Sequence, residues 1–212
     1  MSNVKLMNAL LDLIFPPRCE VCRKGSSEAL CPSCFSQVRF TRPQLGVHSV
    51  TVYDGVVREA VHRFKFNKKK RLAEPLGILM VKYLSCASNL NINEIDAIVP
   101  VPLHQGRLRQ RGFNQAERLA QVISRYHDVP VISVLGRLRP TQPQFNLPRQ
   151  QRFSNVSGAF KVVDSRGVFN KRLLLLDDIY TTGATITECV RALKIAGAKR
   201  VEILTLSRAV EI

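Results

Sequence analysis

Two kinds of apolar segment alternate along this chain, and their order predicts an α/β protein. Residues 173–176 are four consecutive leucines, too few for a buried helix, so they predict a central strand covered on both faces. Residues 186–193 follow with apolar side chains at helical spacing. Other strands are predicted at 47–53, 95–103, 131–135 and 200–206, and other helices at 57–64, 72–84 and 116–123. This order predicts a mainly parallel sheet with flanking helices.

The apolar segment at 4–15 predicts a short amphipathic helix rather than a signal peptide. It contains a single lysine, an internal Asp12 and no small-residue cleavage site, and Pro16 and Pro17 end it. No apolar run in the chain reaches membrane-spanning length, so we predict no membrane insertion. Together these features predict a cytoplasmic protein.

Two carboxylates and a short hydroxyl-rich loop follow the leucine run. Asp177 and Asp178 come where the strand is expected to leave the sheet, and 181–185 (TTGAT) precedes the next helix. Unpaired backbone N–H groups at a helix N-terminus bind phosphate, while carboxylates accept hydrogen bonds from a ribose diol. One ligand presents both groups, a ribose 5-phosphate. The alternative is an ordinary core strand that ends in a capped helix.

Residues 173–185, LLLLDDIYTTGAT, resemble the signature of the type I phosphoribosyltransferases, which bind phosphoribosyl pyrophosphate (PRPP) together with Mg²⁺. The resemblance implies the α/β fold of that family. It also implies that Asp177 and Asp178 are the catalytic pair and hold the ribose hydroxyls. The residues that it assigns to the 5-phosphate loop are Tyr180, Thr181, Thr182, Gly183, Ala184 and Thr185.

Two CxxC pairs near the N-terminus predict a zinc site. The four ligands are Cys19, Cys22, Cys31 and Cys34. Four thiolates leave no open position for a catalytic water, so the zinc is structural; a disulfide and a redox motif are the alternatives. Cys86 and Cys189 lack partners at ligand spacing and are predicted to be buried. We therefore divide the chain into a zinc module, 1–45, and a phosphoribosyltransferase-like domain, 46–212.

Three arginines follow the strand at 95–103 in a predicted loop, 104–114. They are Arg107, Arg109 and Arg111. A strand, a basic glycine-containing loop and a helix are typical of a pyrophosphate-binding loop, because guanidinium groups supply forked donors. The run VPVPLHQGRLRQRGFNQA in this region is similar to the ComF (competence protein F) family, whose members join a four-cysteine module to a phosphoribosyltransferase domain.

Residues 137–160 show neither helical nor strand period, and Pro140, Pro143 and Pro148 argue against a regular element there. In type I phosphoribosyltransferases a flexible flap occupies this kind of position and closes over the substrate. The segment also matches the ComF pattern. The residues predicted to contact the ligand from it are Arg137, Arg139, Thr141, Gln142 and Arg152.

The charge balance predicts a polyanionic partner, namely nucleic acid, nucleotide phosphates or an anionic membrane surface, and charge alone does not choose between them. The chain has 32 lysines and arginines against 16 acidic residues, a formal net charge of +16. A basic run with interleaved Phe64 and Phe66 predicts a surface that binds single-stranded DNA by phosphate contacts and base stacking. This run comprises Lys65, Lys68, Lys69, Lys70 and Arg71. The alternative is a solvated face with no ligand.

The ComF resemblance implies a role in natural transformation, in which the protein binds PRPP and handles incoming single-stranded DNA in the cytoplasm, with transformation or recombination proteins as further partners. The alternative is an active phosphoribosyltransferase on a nucleobase-type acceptor, in nucleotide or carbon metabolism, without a DNA role. No residue pattern identifies an acceptor pocket, so the sequence leaves open whether PRPP is turned over.

Overall fold

The computed structural model describes residues 16–41, 46–87, 89–142 and 148–209. The helix predicted at 4–15 lies outside these residues. The elements in chain order are α1 (Pro32–Phe35), β1 (His48–Val52), α2 (Gly55–Phe66), α3 (Ala73–Cys86), β2 (Ala97–Pro100), α4 (Gln105–Arg111), α5 (Gln115–His127), β3 (Leu135–Arg137), α6 (Arg149–Val156), β4 (Phe160–Val162), β5 (Arg172–Tyr180), α7 (Ala184–Ile195) and β6 (Arg200–Arg208).

The central sheet has four parallel strands in the order β1-β6-β5-β2, with the leucine strand β5 in its interior. Successive side chains of a strand point to opposite faces. Leu174 and Leu176 accordingly pack with α2, α3 and α5, whereas Leu173 and Leu175 pack with α7 on the other face. Each fully buried leucine contributes about 1.5–3 kcal/mol to stability. The predicted central strand is confirmed.

The acidic pair lies inside β5 rather than after it, which corrects the sequence-based boundary. The strand pairs with β6 up to Tyr180, opposite Arg208. Asp177 and Asp178 are therefore held at both ends by a regular hydrogen-bonded ladder, and strand geometry directs their side chains to opposite faces of the sheet.

The arginine segment after β2 was wrongly predicted as a loop, because 105–111 form the helix α4. His104 caps this helix by accepting a hydrogen bond from the backbone N–H of Gly106 at 3.2 Å. Gly112 ends it with a φ of +81°, a conformation that glycine adopts without steric cost.

The segment predicted to be irregular, 137–160, contains regular structure. It includes α6 and contributes to a two-stranded antiparallel sheet, β3-β4. Pro148 stands at the N-cap of α6, where a missing N–H costs nothing, so this proline begins a helix instead of preventing one. Pro143 lies outside the described residues.

Of the two cysteines predicted to be buried, only one is. Cys189 on α7 is buried, whereas Cys86 ends α3 and is exposed, which corrects that prediction. Across the described part of the chain, no helix has both the length and the apolar composition required to traverse a bilayer.

Candidate functional site

The acidic pair lies at the carboxyl edge of the sheet, and its two members have different surroundings. Lys65 of α2 contacts both oxygens of Asp178, with its Nζ 2.8 Å from Oδ1 and 2.8 Å from Oδ2. The two side chains are only 17% and 11% exposed. On the other face of the sheet, Asp177 is under the influence of the positive charge of Arg137, and the Cys189 thiol near it is kept neutral because burial raises its pKa. The negative charge of Asp178 is therefore neutralised by Lys65, whereas Asp177 has no such direct ion pair among the described residues.

The surroundings of Asp177 raise the pKa of its carboxyl to about 7. The main cause is desolvation by the surrounding protein, and the second is the negative charge of Asp178. The positive charges of Lys65 and Arg137 act in the opposite direction, as does the backbone N–H of Asp178, which donates to Asp177 Oδ1 at 2.8 Å. Such a carboxyl is suited to a ligand that donates hydrogen bonds to it.

The predicted phosphate loop joins β5 to α7 without interruption. Gly183 has a φ of +81°, and a Cβ there would lie 2.6 Å from the Tyr180 hydroxyl, so only glycine fits this turn. Ala184 begins the twelve-residue α7, whose first N–H groups lack helical acceptors. The hydroxyl of Thr182 is buried and has no hydrogen-bond partner among the described residues. An anion bound at this helix start would supply the acceptor that this hydroxyl lacks.

Two predicted arginines from different segments converge on Thr141. Arg107 of α4 donates to its carbonyl oxygen at 3.0 Å, and Arg137 of β3 donates to its hydroxyl. The Nε of Arg137 is buried without a partner in the described chain, and desolvation together with the charge of Arg107 lowers the pKa of Arg137 to about 10. Two desolvated cations side by side favour an anion between them.

The other predicted flap and loop residues are placed less centrally. Arg111 is near enough to Asp178 for that charge to raise its pKa, although desolvation lowers it more. Arg109, two positions from Arg107 on α4, is exposed. Arg139 is also exposed and donates to the Ser157 carbonyl oxygen at 2.7 Å. The predicted contacts of Gln142 and Arg152 with a ligand stay predictions.

The structure divides the predicted DNA-binding run. Lys65 faces the acidic pair instead of solvent, and Phe64 is fully buried, so the predicted stacking of bases on Phe64 is wrong. Phe66 is 54% exposed. Two of the other cations contact the N-terminal segment: Lys69 lies 3.2 Å from the Glu20 carboxylate, and Arg71 donates to the Ser27 carbonyl oxygen at 2.9 Å. The Lys70 ammonium lies 5.7 Å from the Phe113 ring centroid, and Lys68 is exposed.

Three residues that the sequence did not assign to the candidate site lie close to it in the structure. The sequence predicts Lys65 as a contact for DNA and gives no role to the other two residues. Tyr53 directly follows β1, and Arg208 is the last residue of β6. The charge of Asp178 is the second cause, after desolvation, of the raised pKa of Tyr53. The Arg208 guanidinium lies 4.5 Å from the Tyr180 ring centroid, and its Nε is buried without a partner in the described chain. No local motif marks these residues, because each reaches the site through strand pairing or helix packing.

The four predicted cysteine ligands form a cluster whose dimensions fit zinc. Their sulfurs all lie within 4.8 Å of one another, with 3.8 Å between Cys19 and Cys34 and 3.6 Å between Cys22 and Cys31. Zn–S bonds of about 2.3 Å in a tetrahedron place sulfurs about 3.8 Å apart, whereas a disulfide requires about 2.05 Å. Burial raises the pKa of Cys19, but backbone N–H donors outweigh it and hold that pKa at about 6. The geometry fits tetrahedral thiolate coordination.

A basic groove with a volume of about 590 Å³ lies beside the packed helices α3 and α5. Four cations line it, and its single carboxylate, Glu74, is already paired with Arg125. The charged lining residues are Lys70, Arg71, Glu74, Arg118 and Arg125. Two of these cations belong to the predicted DNA-binding run, and the fold adds the other two from α5.

Comparison with protein families assigns both parts of the chain. Residues 10–45 match the Double zinc ribbon domain family, and residues 89–210 match the Phosphoribosyl transferase domain family. The second match confirms the predicted fold, and the first, with the cysteine cluster, supports structural zinc. Segment 10–45 contains four cysteines and no histidine, which suits one tetrahedral ion. The predicted domain boundary at 45/46 stays a prediction.

Similar proteins are named for competence or for DNA utilization. The chain is 32% identical to Competence protein F of Haemophilus influenzae over 154 residues, covering 70% of this chain and 66%, just under two thirds, of that protein. It is 29% identical to DNA utilization protein YhgH of Escherichia coli, covering 90% of this chain and 89% of that protein. It is 30% identical to Competence protein ComFC of Bacillus subtilis over 195 residues, covering 90% and 77%.

The solved structures that the chain matches include the glutamine PRPP amidotransferase of B. subtilis. Its TM-score is 0.44 at 21% identity, over 64% of this chain and 26% of that one. The purine phosphoribosyltransferase of Pyrococcus horikoshii has a TM-score of 0.37 at 15% identity, over 64% of this chain and 82% of that one.

Proposed function

Since the chain belongs to the ComF (competence protein F) family of phosphoribosyltransferase-domain proteins, we propose that it binds PRPP and handles incoming single-stranded DNA in the cytoplasm during natural transformation. The observation that supports the PRPP half is a pair of buried donors, the Thr182 hydroxyl and the Arg137 Nε, that have no hydrogen-bond partner among the described residues. They lie in the two segments predicted to hold the two ends of that ligand.

Each part of PRPP corresponds to one group of side chains. The 5-phosphate accepts hydrogen bonds from the loop at Thr182 and the start of α7. The ribose hydroxyls donate to the acidic pair, and Arg107 and Arg137 neutralise the pyrophosphate. Among the described residues, only the four cysteines form a group of three or more metal-type side chains, so oxygens of PRPP and water must supply most ligands of Mg²⁺.

The same groups would support transfer of the phosphoribosyl unit if an acceptor binds. A nucleophile forms a bond to the anomeric carbon while the bond from that carbon to pyrophosphate breaks, and pyrophosphate leaves with the electron pair. The work of the protein is to position the two partners and to neutralise the leaving group. Arg107 and Arg137 suit the second task. Turnover on a nucleobase-type acceptor, without a DNA role, is the alternative function.

Thr182→Val is expected to weaken PRPP binding by about 10-fold, because a hydrogen bond to a charged group contributes about 1.5–3 kcal/mol. Valine preserves the shape and removes a buried hydroxyl that has no partner in the described chain, so the melting temperature should not fall. Calorimetric titration with PRPP and Mg²⁺ measures the affinity. The matched control is Thr187→Val, one turn further along α7 at an exposed position. Equal affinities of both variants and the unmodified protein would exclude Thr182 from the phosphate site.

The DNA half of the proposal is supported by the basic groove and by the names of the relatives. No aromatic side chain lines the groove, so we infer that it contacts phosphates without stacking bases. Binding should therefore be independent of base sequence and should weaken steeply with salt.

Arg118→Gln is expected to make the dependence of log K on log salt less steep by about 0.7, the value for one single-stranded phosphate contact. The control is Arg166→Gln, which removes the same charge from an exposed site outside the groove. Fluorescence anisotropy of labelled oligothymidine at several salt concentrations measures both slopes. If the two variants change the slope equally, net charge and not the groove binds DNA.

The metabolic alternative makes a different prediction. It requires pyrophosphate release when PRPP and nucleobases are mixed with the protein, and no retention of single-stranded DNA at physiological salt. Release that depends on a nucleobase, without DNA binding, would replace the transformation role by the alternative.

A further inference from the structure

We propose that Lys65 is a residue of the PRPP site and that the zinc module positions it through α2. The inference rests on the proposed PRPP site and adds two features to it. Lys65 lies outside the matched phosphoribosyltransferase segment, 89–210, and the zinc module acquires a role in ligand binding. Four observations along α2 support this.

The first observation is the contact with the acidic pair. Lys65 and Asp178 are 113 residues apart in sequence, yet the ammonium group lies 2.8 Å from both carboxylate oxygens in a nearly buried position. An ammonium group has three donors, and two point at Asp178, so one is left for a ligand. A ribose hydroxyl that donates to Asp178, or a pyrophosphate oxygen that lies beside Lys65, can accept a hydrogen bond from this remaining donor.

The second observation is at the other end of the same helix. Val56, in the first turn of α2, packs against the buried cysteine cluster. One twelve-residue helix therefore packs at its start against the cluster formed by Leu30 and three of the cysteines, and contacts Asp178 at its end. No loop lies between these two contacts, so a movement of the cysteine cluster would reach Lys65 through the helix alone.

The third observation is a hydrogen bond two residues before Lys65. The Nη1 of Arg63 donates to the backbone carbonyl of Glu20 at 2.6 Å, and Glu20 is the neighbour of the zinc ligand Cys19 in the first CxxC pair. A backbone carbonyl cannot turn away as a side chain can, so Arg63 follows the position of this pair. The conformation of the pair depends on its metal.

The fourth observation concerns the basic run that follows α2. Lys69 forms an ion pair with the buried Glu20 at 3.2 Å, and Arg71 donates to the Ser27 carbonyl oxygen at 2.9 Å. These two cations of the predicted DNA-binding run therefore attach the zinc module to the main domain. Together with Arg63, they form three polar contacts between the zinc module and the phosphoribosyltransferase-like domain, all from residues 63–71.

The test compares PRPP affinity in zinc-loaded and zinc-depleted full-length protein by calorimetric titration with Mg²⁺ held constant. Lys65→Met is expected to weaken binding 10-fold or more, as expected for the loss of a charge-assisted contact, about 1.4 kcal/mol per factor of ten. Lys199→Met, an exposed lysine at the opposite end of the sheet, should leave affinity unchanged. Lys65→Arg, which keeps the charge, should restore part of the affinity.

Zinc depletion should weaken PRPP binding of the unmodified protein and have little further effect on Lys65→Met, because the lysine through which the module acts is then missing. Arg63→Met keeps Lys65 and Asp178 and removes the hydrogen bond from α2 to the first CxxC pair; it should weaken PRPP binding in the same direction as zinc depletion, though less, because the contacts of Val56, Lys69 and Arg71 remain. Arg63→Met therefore tests the link even if Lys65→Met does not fold, as judged by circular dichroism.

Three results have distinct meanings. Equal affinity of folded Lys65→Met and the unmodified protein would remove Lys65 from the site. Equal losses on zinc depletion in both proteins would show that zinc acts on the fold generally and not through Lys65. Absence of PRPP binding by the zinc-loaded, unmodified protein would instead refute the proposed function itself.

Discussion

Asp177→Asn is expected to weaken PRPP binding by about 100-fold or more and, at pH 8, to raise the free energy of unfolding. The affinity falls because the ribose diol loses a carboxylate acceptor, and charge-assisted hydrogen bonds contribute about 1.5–3 kcal/mol each. The gain in stability has a separate cause, which is the ionisation of Asp177 in the folded chain.

The pKa of Asp177 is raised from 3.8 to about 7. The charges that act on this carboxyl are those of Asp178, Lys65 and Arg137, and the neutral Cys189 thiol also lies near it. Because the folded chain holds the proton more tightly than the unfolded chain, the contribution of this group to stability is complete below pH 4 and is lost as the pH rises to about 7. Each pKa unit corresponds to about 1.4 kcal/mol, so the loss reaches a few kcal/mol. Asparagine avoids it and still accepts the hydrogen bond from the Asp178 N–H.

Asp178→Asn should behave oppositely. It leaves Lys65 as a nearly buried cation without its partner, and removal of one member of such a pair costs about 3 kcal/mol. Urea denaturation of both variants at pH 5 and pH 8, beside calorimetric titration with PRPP, separates the two effects. If both substitutions changed stability at pH 8 in the same direction, the assignment of different surroundings to the two carboxylates would be wrong.

Arg137→Met is expected to weaken PRPP binding by about 100-fold while changing the affinity for ribose 5-phosphate less than about threefold. The guanidinium is placed for the pyrophosphate, where it can form two charge-assisted hydrogen bonds, and ribose 5-phosphate lacks that group. Thr182→Val should instead weaken both ligands, because both carry the 5-phosphate. Calorimetric titration of each variant with both ligands gives the comparison.

The comparison variant for Arg137 is Arg139→Met, on the same segment. Arg139 is exposed and donates to the Ser157 carbonyl oxygen, so its loss should cost PRPP affinity much less. Losses by Arg137→Met that are equal for PRPP and ribose 5-phosphate would place Arg137 outside the pyrophosphate site. They would assign it a role in the structure of the flap, where its guanidinium lies 5.2 Å from the Phe160 ring centroid.

Features encoded in contiguous residues were predictable from the sequence. The leucine strand, the acidic pair, the phosphate loop and the start of α7 occupy 173–185 without a gap, and the four cysteines lie within 19–34. The alternation of side chains along a strand and the spacing of ligands around a metal are local geometry, so a local pattern is enough to recognise them.

The ends of strands and helices were less predictable from the sequence, because strand pairing and capping residues decide them. β5 continues through Asp177 and Asp178 to Tyr180 only because β6 runs beside it to Arg208. Residues 105–111, QGRLRQR, have too little apolar periodicity to predict a helix, and the caps His104 and Gly112 define it instead.

By itself, the sequence determined the fold class, the cysteine cluster and the position of the acidic pair and phosphate loop along the chain. Only the tertiary structure decided what each charged residue faces. It gives Asp177 and Asp178 different surroundings. It also shows that Lys65, predicted to contact DNA, forms an ion pair with Asp178, and that Lys69 forms one with Glu20. The physical reason is that periodicity shows which face of an element is apolar, but the packing of distant elements selects the partner of each polar side chain.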